Sequence, residues 1–324
     1  MASRQVAIYF AWSRSDEDHA QLGTLENRFT TLFEARRLQW PRLEHLADPT
    51  RFDQGITGFL DHLLLANFGM FADLAGTLTG NHARHAQRRN DTTHTALNGE
   101  WLTGVDTLVI ISWDSNRSNQ RTTPEEIHEV RTFLDKPGQT VFVCPHHNIG
   151  DIENLSAEEG RRRQEAEFHH HGDLAIPSQQ RFGTFGLSLL EGLGIPIRNR
   201  FGLRPAKTTD GNPAPLRVST SADRFGLMSG VTTFNLHPHL PHFEMLGSSP
   251  SKLDVLARQA IDPTASPHPF AQGGRGDFDA LLQTKPETFA GQLFISDPTI
   301  WMSTAGGLES LQRFWRNVLE IPLH

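Results

Sequence analysis

Short apolar runs alternate with amphipathic stretches along much of the chain. Val6 to Trp12 is a continuous apolar run, most simply a buried first strand. Thr107-Leu108-Val109-Ile110-Ile111-Ser112-Trp113 is apolar and β-branched nearly throughout, as in a parallel strand covered on both faces. Thr123-Pro124-Glu125-Glu126 supplies an N-cap, a first-turn proline and early acids. Ile127, Val130, Phe133 and Leu134 follow at helical spacing, and Pro137-Gly138 closes the helix. The run Gln139 to Val143 then leads into Cys144. A strand, a capped helix and a strand with short connections form a βαβ unit.

The alternation continues on both sides of that unit. Apolar positions recur at helical spacing over 26–46 and 58–80, the latter through Phe59, Leu63, Phe68, Phe71, Leu74 and Leu78. Further helices are expected over 156–167, 183–193 and 307–319, with strands at 194–197 and 291–297. Residues 204–215 are rich in Pro, Gly and Asp and read as a surface loop. Neither an internal repeat nor a linker interrupts the pattern. The expectation is one α/β domain over residues 1–324, with three layers, a mainly parallel central sheet and a long insertion at about 198–285. Its parallel strands are expected near 6–12, 107–113, 140–144 and 291–296.

Composition narrows the function classes. The net charge is −7 and its charges are interspersed, so no basic patch predicts nucleic-acid binding or attraction to an anionic membrane. No run reaches the roughly 18 apolar residues of a membrane span. A single cysteine excludes an internal disulfide framework. The first residues lead directly into a strand without a signal peptide's apolar stretch, so a cytoplasmic location is expected.

Taken together, this layout resembles the class I glutamine amidotransferase-like superfamily, which includes the PfpI and ThuA-like proteins. The likeness is carried by Val105-Asp106-Thr107-Leu108-Val109-Ile110-Ile111, by the helix start at Thr123 and by the strand ending at Cys144. Gly291 to Asp297, followed by Leu308, Leu311, Phe314, Trp315, Val318 and Leu319, resembles the closing strand and helix of such domains. The resemblance implies a flavodoxin-like fold and chemistry on an amide or other C–N bond, with Cys144 at the nucleophile turn. Members commonly surround that cysteine with glycine, whereas here Val143 precedes it and Pro145-His146 follows. Proline has no backbone N–H to offer an oxyanion.

Three histidine clusters stand out among 17 histidines. They are His146 and His147 with Asp151, His169, His170 and His171 with Asp173, and His237, His239 and His242. Imidazole and carboxylate groups are the usual ligands of zinc and iron. Pro238 and Pro241 would keep the third cluster extended, so that His237 and His239 point the same way. All three clusters are expected in loops that the fold could bring to one rim. A solvated loop explains any single run equally well, because no His-Glu-x-x-His or paired Cys-x-x-Cys spacing is present.

Cys144 reads either as a small buried hydrophobe or as a nucleophile with His146 as its base. Gln180 and Arg181 are candidates for holding a substrate carboxylate. Asp297 and Trp301 suit an N-cap and a packed indole, or the wall of a site. Asp16 to His19 reads as an exposed acidic loop. The leading expectation is a small-molecule hydrolase whose histidine-rich site binds a divalent metal, zinc or iron, that activates water. Catalytic candidates are Cys144, His146, His147 and Asp151. The alternatives are a metal-free hydrolase using Cys144 and a non-catalytic ligand-binding member of the superfamily. A homo-oligomer is compatible with either.

Overall fold

The computed structural model describes residues 4–11, 66–88, 96–112, 120–152, 154–171, 184–237, 239–303 and 306–323. Among the described residues the strands are β1 (Val6–Phe10), β2 (Arg84–Gln87), β3 (Thr107–Ser112), β4 (Thr140–Pro145), β5 (Ile197–Leu203), β6 (Arg217–Val218), β7 (Leu240–Met245), β8 (Leu253–Ala260), β9 (Asp277–Thr284) and β10 (Gln292–Ser296). The longer helices are α1 (Ala66–Thr79), α2 (Pro124–Leu134), α3 (Ala157–His171), α4 (Phe185–Gly192) and α5 (Leu308–Glu320).

Eight strands form one sheet in the order β2-β1-β3-β4-β10-β9-β8-β6, while β5 and β7 pair separately. The ladders from β2 through β10 are parallel. Those joining β10 to β9, β9 to β8 and β8 to β6 are antiparallel. The four apolar runs expected as strands of one mainly parallel sheet lie side by side as β1, β3, β4 and β10.

Side chains alternate across these strands with a period of two and build a core on each face. Val6, Ile8, Phe10, Val109, Ile111, Phe142, Cys144 and Phe294 pack with α1 and α5 on one face. Ala7, Tyr9, Leu108, Ile110, Val141, Val143, Leu293 and Ile295 pack with α2 and α4 on the other. This gives a mixed α/β architecture with helices on both sides of a mainly parallel sheet. The α2 start has the expected capping box: Thr123 Oγ1 accepts from the Glu126 N–H, and Glu126 Oε2 accepts from the Thr123 N–H.

Several expectations need correction. Residues 169–171 end α3, so the second histidine cluster is helical. His242 lies within β7, where a loop was expected. The 198–285 segment adds β6, β8 and β9 to the main sheet. Their sequences are interrupted by Asp, Arg and Gln, which weaken a purely apolar strand signal. The short polar strand β2 gave no such signal at all. The expected helix at 26–46, the first part of the one at 58–80, and Asp16 to His19 lie outside the described residues.

Candidate metal centre

In open α/β sheets, ligands gather beyond the carboxyl ends of the strands. The parallel neighbours β4 and β10 end there in His146-His147 and Asp297 respectively. His146 is anchored by its backbone N–H, which donates to the Ser112 carbonyl at 3.0 Å. Beyond His147, Asn148 forms a parallel bridge with Arg200 of β5. That bridge places Asn199 and Gly202 of β5 beside the turn.

Asp297 is fully buried and bound on both oxygens. Its Oδ2 accepts from the His147 backbone N–H at 3.0 Å, from His147 Nδ1 at 3.1 Å and from Asn199 Nδ2 at 2.8 Å. Its Oδ1 accepts from the Thr299 N–H at 3.0 Å, capping the short 3-10 turn Pro298–Trp301. Burial alone would raise its pKa. The adjacent His147 and His146 and the N–H donors outweigh burial and hold the carboxyl well below the usual carboxylate range. Asn199 also donates to the Pro145 carbonyl at 2.6 Å, tying β5 to the end of β4.

The third histidine cluster reaches the same place. The His147 and His239 ring centroids lie 5.0 Å apart, and those of His237 and His239 lie 4.3 Å apart. His146 stacks on His147 at 4.4 Å. Asn235 Nδ2 donates to the Thr299 carbonyl at 2.6 Å, fastening the approach to His237 onto the turn that follows Asp297. His146, His147, His237 and His239 are all buried. His146, His147 and Asp297 each bring a donor atom within 4.8 Å of the others, the only such group of His, Cys or acidic residues among the described residues.

Hydrogen bonds sort these histidines by tautomer. A carbonyl or carboxylate oxygen only accepts, so a ring nitrogen bonded to one carries the proton. His147 Nδ1 faces Asp297 and His146 Nδ1 lies 2.9 Å from the His147 carbonyl, whereas His237 Nδ1 lies both 2.7 Å from the His239 carbonyl and 3.4 Å from the His239 N–H. In the neutral ring His147 keeps its lone pair on Nε2, the form that binds a metal. Burial, reinforced by His147, pushes His146 down to about 3 and keeps it neutral. His147 Nε2 is buried without a hydrogen-bond partner, and it faces Gly202, where a Cβ would come within 3.1 Å.

Other candidate histidines are engaged elsewhere. His170 donates from Nδ1 to the Ser266 carbonyl and accepts on Nε2 from the Arg204 N–H, each at 3.0 Å. His242 Nδ1 accepts from the Asp279 N–H at 3.1 Å, and burial with Arg275 and Arg258 pushes it down to about 4. His169 is exposed, 3.8 Å from Glu165. Asp151 is half-buried and contributes to the charge around Arg200. Asp173, Gln180, Arg181 and the His171 side chain lie outside what the structure describes.

Cys144 points into the α1/α5 core and is fully buried. Its Sγ lies 3.3 Å from Ser296 Oγ, which also accepts from Trp301 Nε1 at 2.9 Å. Burial pushes the thiol pKa strongly upward. Trp301 is the packed indole, against Phe71, Phe142 and Phe314. Asn199 escaped the sequence reading because an asparagine inside a polar strand carries no periodic or motif signal. No protein-family model matches the chain, and no curated protein matches it.

Proposed function

We propose that the chain is a metal-dependent hydrolase of small molecules, with its centre at His146, His147 and Asp297 and zinc or iron as the ion. The supporting observation is the convergence of these three buried groups at adjacent strand ends, with His237 and His239 alongside. Such an ion, when bound, acidifies a water or polarises a carbonyl. Asp297 fixes the His147 ring, Asn199 braces Asp297, and burial keeps His146 uncharged. Burial also excludes bulk water from the polar groups that would face substrate.

The five parallel strands run β2-β1-β3-β4-β10, which follows the flavodoxin-like order 2-1-3-4-5 and supports that fold family. An amide or other C–N bond as the target rests on the resemblance to the amidotransferase-like superfamily. Leu236, the residue before His237, lines a surface groove of about 1370 Å³ together with Arg313 and Arg316 of α5. Cys144 is assigned no step, because its thiol is buried, neutral and bonded to Ser296.

Metal analysis of chain purified without a histidine tag, followed by a screen of amide substrates with and without chelator, tests the proposal. One tightly held ion and chelator-sensitive hydrolysis are expected. A metal-free chain with full activity would overturn it, and a chain with neither metal nor activity would favour a ligand-binding protein.

A further inference from the structure

His242 and Arg275 bring two hydrogen-bond donors together without an acceptor. His242, in β7, is only 4% exposed. Its Nδ1 accepts from the Asp279 backbone N–H at 3.1 Å, so the neutral ring carries its proton on Nε2. Arg275 Nη1 lies 3.5 Å from that Nε2. A guanidinium only donates, so this approach is not a hydrogen bond. Two N–H groups converge where an acceptor is missing, and a buried donor left unmet is costly.

The surroundings favour a negative occupant. Burial, and then the positive field of Arg275 and Arg258, keeps His242 neutral. The Asp279 carboxylate is already held by Arg258 Nε at 2.7 Å. Among the described residues no carboxylate pairs with Arg275, whose Cζ lies 4.8 Å from the centre of the Phe270 ring. That ring lies 4.5 Å from His242, so one aromatic wall positions both donors. Arg275 is exposed, on the loop Gly273-Gly274-Arg275-Gly276, where a Cβ at Gly274 or Gly276 would meet nothing within 4 Å. A ligand can therefore approach the guanidinium from solvent.

We infer that His242 Nε2–H and the Arg275 guanidinium form a binding site for one oxyanion, the carboxylate or phosphate group of a small molecule. An oxygen of the ligand accepts from both donors, and its charge is met by Arg275. The planar guanidinium fork matches either group. The site is separate from the metal centre. On β5, Phe201 stacks on the His242 ring at 6.3 Å and 11°, whereas the next residue, Gly202, faces His147. Binding here requires no ion at that centre.

The test titrates the full-length, tag-free chain at pH 7 and constant ionic strength with inorganic phosphate and, separately, with acetate. Calorimetry and nitrogen-15 spectra of the imidazoles are the readouts. His242 should carry its proton on Nε2, and that resonance should shift saturably with the anion. Arg275→Ala, at an exposed position, should weaken binding roughly tenfold or more, the loss expected for a charge-assisted hydrogen bond. Arg275→Lys keeps the charge without the fork and should lie between. Tighter binding of phosphate would identify a phosphate-bearing ligand and tighter binding of acetate a carboxylate, and both results retain the site. A proton on Nδ1 of His242, a shift that does not saturate, or equal binding by wild type and folded Arg275→Ala would overturn the inference. Phosphate captured by an ion at the His146–Asp297 centre would give that last result, since Arg275 takes no part there.

Discussion

Asp297 Oδ2 and His147 Nδ1 meet at 3.1 Å with both side chains fully buried, although 150 residues separate them in sequence. The contact joins the ends of β4 and β10, so it serves the sheet as well as the site. Asp297→Ala would leave the backbone N–H groups of His147 and Thr299 and the Asn199 amide without their acceptor. Leaving a buried donor without its acceptor costs about 1–3 kcal/mol. Urea unfolding should show a loss of that size for alanine and a smaller one for asparagine. Equal losses would mean that the oxygen contacts contribute little.

Gly202 has φ +49°, and a Cβ there would lie 3.1 Å from His147 Nε2 and 3.2 Å from its Cδ2. Gly202→Ala therefore combines left-handed backbone strain with crowding of the buried His147 Nε2, a candidate ligand atom of the proposed centre. Stability should fall by about 1–3 kcal/mol, in the range of strained backbone positions. Metal affinity should fall by more than that stability loss explains in chain that remains folded. Unchanged affinity, measured by titration with Zn²⁺, would show that Nε2 does not receive the ion.

Cys144 gives a prediction of inertness. Only the thiolate reacts readily, and this thiol is buried with its pKa pushed upward. The single thiol should resist alkylation by iodoacetamide at pH 8 in native chain and react fully in denaturant. Cys144→Ser should leave hydrolysis within about tenfold of wild type, because no step is assigned to the sulfur. Rapid native alkylation that abolishes hydrolysis would restore the thiol as nucleophile.

His242 predicts the sign of one pH effect. Its folded pKa is depressed from 6.5 to about 4, chiefly by burial. The unfolded chain therefore binds the extra proton between those values, and stability falls as pH drops through that window. The contribution above pH 6.5 is about 3 kcal/mol at most, following the linkage relation. In His242→Asn the drop in unfolding free energy between pH 7 and pH 4.5 should be smaller by about 2 kcal/mol. An identical pH dependence in the two proteins would remove His242 as its source.

The parallel strands were legible because β1, β3, β4 and β10 are buried on both faces, which requires continuous apolar runs. The helix between β3 and β4 was legible from Thr123, Pro124 and Glu126, whose capping roles are local. The antiparallel strands β8 and β9 were hidden because several positions are only partly buried and carry Asp, Arg and Gln. Tertiary pairing decided their state.

The same division applies to the centre. His146, His147, His237 and His239 could be picked out as metal-binding residue types, and Asp297 as an N-cap, from sequence alone. Their meeting could not be, since it depends on β4 and β10 becoming neighbours across a long intervening segment. Nor could sequence separate these histidines from His170 and His242, whose ring nitrogens receive backbone N–H groups from Arg204 and Asp279. Side-chain chemistry and short-range spacing are written along the chain, and they determined the sheet's central strands and the pool of donors. Which nitrogen carries a proton, and which lone pair remains open, depends on partners supplied by distant strands, so only the tertiary structure decided the site.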